Sequence, residues 1–377
     1  MPIKGQRTPL DASWRTRAQL AQEAVLPAGS VVVSCWAPLG VGGLGRHLQE
    51  IIDALARRGQ TAAWIGESAS EGEPVRHRGL HTPLTALIPV ARFSPAWRMW
   101  MASVAFDREA ARRLPPADHL IAFNGTAVSQ FRAARAASFE TLSLVSATSH
   151  FRHVLTQHER AHRQYPLERP WASHLLRRNL REYAQADRIY VSTTYALESF
   201  IAEGFGKERL SVFSLTPDPR FTPGRGEDSP GARATSSTYD VVYAGGLTID
   251  KGVPLLVDAI RRLPHSDLRL VLVGGWTTRG MRRFMQSACA QDGRLSVRVG
   301  DPLPHLRAAS LCVHPSYSDG FGYAPAEALA CGVPVIVSED TGMKELLDGT
   351  GCGLVVPTGD AAALGEAIDA AYRGELT

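Results

Sequence analysis

Short apolar runs alternate with longer amphipathic stretches along the whole chain, and they do so in two successive rounds. In the first half, Val31–Cys35, Ala62–Ile65, His119–Phe123, Leu142–Ala147 and Arg188–Ser192 are predicted strands. Leu44–Arg57, Trp97–Arg113 and Ala172–Ala186 are predicted helices. In the second half the strands are Val241–Tyr243, Leu268–Val273, Ser296–Val299, Leu311–His314, Val333–Val337 and Gly353–Val356. The helices are Lys251–Leu263, Gly280–Gln291, Pro325–Ala330 and Ala361–Tyr372. This alternation is the pattern of parallel sheets with crossover helices. It predicts an α/β chain of two doubly wound, Rossmann-like domains, over residues 1–215 and 239–377, with an inter-domain cleft. Residues 216–238, rich in Pro, Gly, Ser and Thr and without periodicity, read as the linker.

At 377 residues there is enough chain for two full cores. A hydrophobic content of 44% and charged content of 21% describe an ordinary globular protein. The formal charge of +4 comes without a basic run or an aromatic-basic platform, so nucleic acid is not an expected partner. Five widely spaced cysteines with no C-x-x-C pair are expected to be reduced thiols in a cytoplasmic protein. No apolar window approaches the roughly 20 residues of a spanning helix. Arg92–Met101 mixes bases with aromatics, which would suit weak peripheral contact with a membrane or a lipid-linked acceptor. The spacing of Trp97, Met101, Val104 and Arg108 favours a core-facing helix instead.

Two carboxylates eight positions apart stand out. Asp319 is followed by the glycine turn Gly320-Phe321-Gly322, and Glu327 lies beyond Pro325 on a predicted helix. The glycines let backbone amides approach a ligand, and the helix start favours an anion. Glu327 is placed to accept hydroxyl hydrogen bonds beside that anion. A second such turn, Gly245-Gly246-Leu247 to Lys251-Gly252, follows a strand and opens a helix, with Lys251 as a point charge for phosphate.

Two further motifs compete. Gly40–Gly45 spells G-x-G-x-x-G, with Glu67 some twenty residues on, as an NAD-dependent oxidoreductase would have. Ala37-Pro38-Leu39 lengthens a turn that fingerprint needs tight, and Gly42-Gly43 could equally serve another phosphate or an acceptor. His158-Glu159-Arg160-Ala161-His162 spells H-E-x-x-H, with Glu182 downstream as a third ligand for zinc. Its polar flanks and Pro166 read instead as a histidine-rich surface segment.

The second-half residues resemble the retaining, nucleotide-sugar-dependent glycosyltransferases of family 4, with the two-Rossmann GT-B fold. The resemblance rests on Gly245–Gly252, His314-Pro315-Ser316, Asp319…Glu327 and the run Ala328–Ile336. The first half is similar more loosely, through Gly42–His47, Ser149-His150 and Glu182-Tyr183…Ala186-Asp187. The resemblance implies that Glu327 binds the ribose and Lys251 the diphosphate. It also implies that Asp319 and the amides of Gly320, Phe321 and Gly322 contact donor sugar and phosphate, with Gly245 and Gly246 in the same phosphate turn. Amides at Val299 and Gly300 would read the base, His150 would meet the sugar, and Gly42-Gly43 would face donor phosphate or acceptor.

Two departures are visible. Gly246 stands where the family usually has arginine, with Arg220, Arg279 and Arg282 as candidate substitutes. Asp319 stands where glutamate is usual, drawing the carboxylate back by about 1.5 Å. The expected activity is retaining transfer of a hexosyl group to a carbohydrate, lipid-linked or small-molecule hydroxyl acceptor. No metal or other cofactor is expected, as the chain lacks a D-x-D triplet. A transferase-like binding protein of weak activity is the alternative that Gly246 raises. The chain stops soon after Tyr372, where this fold often adds a further helix.

Overall fold

Val31–Ser34 is three valines and a serine, and all four residues are buried. Strands of this kind belong in the interior of parallel sheets covered on both sides. A computed structural model describes residues 10, 12–60, 62–66, 76–79, 95–224, 238–276, 278–347 and 350–375. Among them the chain forms two sheets, parallel at every pairing. The first comprises β1 (Val31–Ser34), β2 (Ala62–Gly66), β3 (Arg76–Gly79), β4 (His119–Phe123), β5 (Thr141–Ser146), β6 (Arg188–Val191) and β7 (Leu210–Val212), in the order β3-β2-β1-β4-β5-β6-β7. The second comprises β8 (Tyr239–Ala244), β9 (Leu268–Val273), β10 (Leu295–Arg298), β11 (Leu311–His314), β12 (Val335–Ser338) and β13 (Gly353–Val356), in the order β10-β9-β8-β11-β12-β13.

Both orders reverse once, between β1 and β4 and between β8 and β11. At such a switch point the loops leaving the two strands diverge, and a crevice opens beyond their carboxyl ends. The turns Gly245–Gly252 and Pro315–Gly322 leave β8 and β11, so the topology itself sets these two motifs side by side. Behind them, Leu255, Leu256 and Ile260 of helix Val253–Arg261 pack in one core with Leu364 and Ile368 of helix Ala361–Tyr372. Each such burial is worth about 2 kcal/mol.

The chain divides into two compact units. One gathers Arg17–Leu155 with Trp171–Leu215, and the other gathers Thr156–Pro170 and the chain from Thr216 onward with the N-terminal segment through Thr16. Thr156–Pro170 thus departs from the expected first domain. Ala161 belongs to the core around the second sheet, and the Tyr165 hydroxyl donates to Asp258 at 2.9 Å. Residues 225–237, most of the expected linker, lie outside the described residues, as do Glu67 and Arg92–Ser94.

Helix Pro95–Arg112 corrects the predicted stripe. Its buried face is Ala102, Ser103, Phe106, Asp107 and Ala110, while Trp97 is 47% exposed. Trp97 packs edge-on to Trp100, with ring centroids 5.6 Å apart. Among the described residues no helix is long and apolar enough to cross a membrane.

Candidate active site

The turn after β8 passes Gly245 at φ 141° and Gly252 at φ 72°, both in the region that favours glycine. A Cβ on Gly252 would lie 2.0 Å from the carbonyl oxygen of Pro315. The two turns are therefore pressed together backbone to backbone. Tyr317 N–H donates to the Asp250 carbonyl across the same seam, at 2.8 Å.

Three polar side chains meet at this seam. Lys251 Nζ donates to Asp319 Oδ2 at 2.7 Å, and His314 Nε2 meets the same oxygen at 2.9 Å. His314 lies parallel to the Tyr243 ring, centroids 6.1 Å apart and planes within 4°. The buried Tyr243 hydroxyl donates to the Gly246 carbonyl at 2.7 Å. The Asp319 backbone is held from its other side: its N–H donates to Asp340 O, and its carbonyl accepts from Gly342 N–H, each at 2.9 Å.

Burial works to raise the Asp319 pKa, but the Lys251 cation and the His314 hydrogen bond outweigh it and hold the carboxyl well below its usual range. Burial likewise works to lower Lys251, and the Asp319 and Asp250 charges more than reverse that. Both groups are therefore ionised at neutral pH. With Asp319 an anion, His314 Nε2 must carry the shared proton. The side chains of Lys251 and Asp319 keep 30% and 19% of their surface open, so a ligand can reach both.

Beyond Asp319, Gly322 at φ 94° starts helix Tyr323–Ala330, with Pro325 in its first turn. Glu327 on that helix is buried, at 2% exposure. After β10, Val299 is 83% exposed and Gly300 sits at φ 142°, an open backbone turn.

In the other unit, helix Gly42–Arg57 begins at Gly42, whose φ is 65°. A Cβ on Gly45 would lie 2.0 Å from the Pro38 carbonyl oxygen, so this glycine answers a close approach of helix to loop. His47 lies buried against Phe123 and Phe213, and burial lowers its pKa to about 3.

His150 immediately precedes helix Phe151–Gln164. It is 1% exposed, among Tyr183, Phe200 and Phe205 at centroid distances of 4.9, 5.0 and 5.7 Å. Its N–H donates to Ser199 Oγ at 2.7 Å, and its Nε2 is buried without a hydrogen-bond partner. Burial first, then Arg152 and His153, lowers its pKa to about 4.

Within the H-E-x-x-H segment Arg160 is exposed, as a surface segment would have it, but the two histidines are not. His158 and His162 are 3% and 4% exposed, their rings 4.0 Å apart. Glu182, read as a third zinc ligand, accepts from the amides of Gly125 at 2.6 Å and Ala127 at 2.8 Å and pairs with Arg178. It thereby fixes the loop after β4. Among the described residues no three His, Cys, Asp or Glu side chains are placed to hold a metal ion.

Residues 41–216 match the sequence profile described as Glycosyltransferase Family 4, and residues 238–373 match Glycosyl transferases group 1. The chain belongs to glycosyltransferase family 4. A D-inositol 3-phosphate glycosyltransferase of Corynebacterium jeikeium is 29% identical over 207 residues, 48% of this chain and 49% of the relative. The chain spans about half the length of the curated relatives it matches. Sucrose-phosphate synthase from Thermosynechococcus elongatus shares the fold at a TM-score of 0.68 and 20% identity, over 92% of this chain and 90% of that one. HepE from Anabaena, solved with UDP-glucose, does so at 0.63 and 17%, over 92% and 90%. These likenesses establish the two-domain GT-B architecture of this family 4 protein, and no finding supports the NAD reading of Gly40–Gly45.

The family's missing arginine has no steric cause. A Cβ on Gly246 would meet only Thr248 Cγ2, at 3.9 Å. Arg220, a candidate substitute, has its guanidinium on Asp301 at 2.7 Å and on Asp218 at 3.2 Å. Arg279 and Arg282 are exposed at the start of helix Arg279–Gln291.

Proposed function

We propose that the protein is a retaining, metal-independent glycosyltransferase that moves a hexosyl group from a nucleotide-diphosphate sugar to a hydroxyl acceptor. The observation that carries this reading is the ionised Lys251–Asp319 pair, braced by His314 at the switch point of the second sheet. Lys251 and the amides of Gly245, Gly246, Gly320, Phe321 and Gly322 receive the diphosphate. Glu327 binds the ribose hydroxyls, the amides at Val299 and Gly300 read the base, and Asp319 accepts from hydroxyls of the donor sugar. Gly42 and Gly43 offer helix-start amides to phosphate or acceptor.

In the reaction the bond between anomeric carbon and diphosphate oxygen breaks, leaving an oxocarbenium-like sugar. The acceptor oxygen attacks the same face, and its proton passes to the departing phosphate. Positive charge fixed before the reaction stabilises the leaving group, and that is the largest contribution such a site makes. His150, a neutral imidazole at physiological pH, serves as a hydroxyl-binding group through Nε2.

A uridine nucleotide is supported by the HepE complex, and a phosphorylated polyol acceptor by the names of the curated relatives. A cytoplasmic location is supported by five free cysteines. The deciding experiment is a hydrolysis screen over UDP-, GDP- and ADP-hexoses, with and without D-inositol 3-phosphate. Turnover of one donor is expected, and silence with all of them would leave a binding protein.

Glu327→Ala is expected to weaken nucleoside diphosphate binding about 10- to 100-fold, the worth of one or two hydrogen bonds to a charged group. Titration calorimetry with UDP, GDP and ADP checks this, and an unchanged Kd would remove Glu327 from the ribose. Gly246→Arg is expected to fold normally and to tighten diphosphate binding about tenfold, since the position has room and a second cation would face the same anion.

A further inference from the structure

Gln157, Arg160 and Gln164 occupy positions i, i+3 and i+7 of helix Phe151–Gln164 and so share a face. That face makes four hydrogen bonds to the six-stranded unit. Gln157 Nε2 donates to Asp340 Oδ2 at 3.0 Å, and Arg160 donates to the Thr358 carbonyl at 2.6 Å. Gln164 Nε2 donates to the Gly359 carbonyl at 3.0 Å, while its Oε1 accepts from the Tyr317 hydroxyl at 2.7 Å. The targets are the loops at the carboxyl ends of β11, β12 and β13. A helix needed only for packing would present apolar side chains there.

The bonds converge on Asp319. Asp340, whose carboxylate Gln157 holds, accepts the Asp319 N–H through its carbonyl, and its own N–H donates to Thr358 Oγ1 at 3.3 Å. Tyr317, fully buried, carries its hydroxyl on Gln164 and its N–H on Asp250, two residues before Asp319 in the chain. Ser338 Oγ ties the loop after β12 to the Ser316 carbonyl. The Asp319 N–H, through Asp340, and the approach of the chain to Asp319, through Tyr317, are thus referred to this helix face, while the Asp319 carbonyl rests on Gly342.

We propose that Gln157, Arg160 and Gln164 are positioning residues that set the Asp319 carboxylate for the donor sugar, with Asp340 as the hub. The proposal rests on the donor-site reading above. A misplacement of about 1 Å at a reacting group can cost a hundredfold in rate, so a hydrogen bond two steps removed is enough to matter.

The experiment compares wild type, Gln157→Leu, Gln157→Glu and the double variant Gln157→Glu/Asp340→Asn. Each is followed by hydrogen–deuterium exchange of the segment around Asp319, by kcat for donor hydrolysis, and by the Kd for nucleoside diphosphate. Gln157→Leu is expected to exchange the Asp319 amide about tenfold faster and to lose about tenfold in kcat, with the nucleotide Kd and the urea midpoint unchanged. Gln157→Glu sets two carboxylates against each other and is expected to do worse. The double variant restores the bond with its polarity reversed, and is expected to return exchange and kcat to within threefold of wild type.

Unchanged exchange at Asp319 in Gln157→Leu, or a double variant no better than Gln157→Glu alone, would overturn the proposal. If wild type hydrolyses no nucleotide sugar, the functional reading falls, and the exchange data alone decide this inference.

Discussion

Lys251→Met is expected to slow donor turnover by roughly 10²–10³-fold, the usual loss when one preorganised charge is removed from a leaving group. Asp319→Asn is expected to come close behind. The reasoning is electrostatic on both sides of the 2.7 Å contact. Without Lys251, the departing diphosphate loses its point charge, and Asp319 is left as an anion held by His314 and the Phe321 amide. Without the Asp319 charge, burial acts on Lys251 with less opposing it and lowers its pKa, and the donor sugar loses a hydroxyl acceptor. The two residues act as one unit, so the double variant is expected to lose little more than the worse single. Hydrolysis rates for the two singles and the double, fitted as a cycle, test this. Additive losses would mean that the groups work separately, and rates within threefold of wild type would take them out of the reaction.

How much of that site could be read from the sequence depends on distance along the chain. Lys251 and Asp319 were legible because each sits in a glycine turn after an apolar strand, and strand order then brings the turns together. The support was not. Nothing in the sequence indicates that Gly252 must be glycine because the Pro315 carbonyl occupies the place of a Cβ, or that His314 stacks on Tyr243 while bonding Asp319. The Gly252–Pro315 and Tyr243–His314 contacts join segments more than sixty residues apart in the chain, are set by backbone approach and carry no composition signal.

The fold shows the same division. His119–Phe123, Leu268–Val273 and Leu311–His314 are strands where the apolar runs predict them, because interior parallel strands are largely apolar, and Gly353–Val356 is one at the edge of its sheet. Arg76–Gly79 has no apolar run, and it lies at the edge of its sheet beside β2. In helix Pro95–Arg112 the apolar spacing and the buried face are out of phase, for a specific reason. Its buried face includes Asp107, whose carboxylate accepts from the amides of Ser129 and Gln130 and pairs with Arg178. A pattern that sends charge outward rotates the stripe away from such a residue. Helix Phe151–Gln164 misled in the opposite sense, since its polar face is turned to loops that it hydrogen-bonds.

Unfolding free energy is expected to fall by about 2 kcal/mol between pH 7.5 and pH 5.5. Burial lowers His47 to about 3 and His150 and His158 to about 4, against an ordinary value near 6.5. A histidine depressed in this way is stabilising above pH 6.5, where both states are neutral, and that stability is lost as the pH falls toward its native value. At pH 5.5 each histidine has given up about 1.4 kcal/mol, about 4 in all. Glu182 acts with the other sign. Burial raises it to about 7 against Arg178 and two amides, so the native state takes up its proton first on acidification and gains about 2 kcal/mol. The histidines win by number, and their excess widens toward pH 4.5. Urea unfolding at the two pH values measures the difference. His47→Gln is expected to remove about 1.4 kcal/mol of the histidine share, because it takes the imidazole from between Phe123 and Phe213. A protein equally stable at both pH values, or one whose pH dependence is untouched by that substitution, would mean that the buried imidazoles are not what acid unfolds.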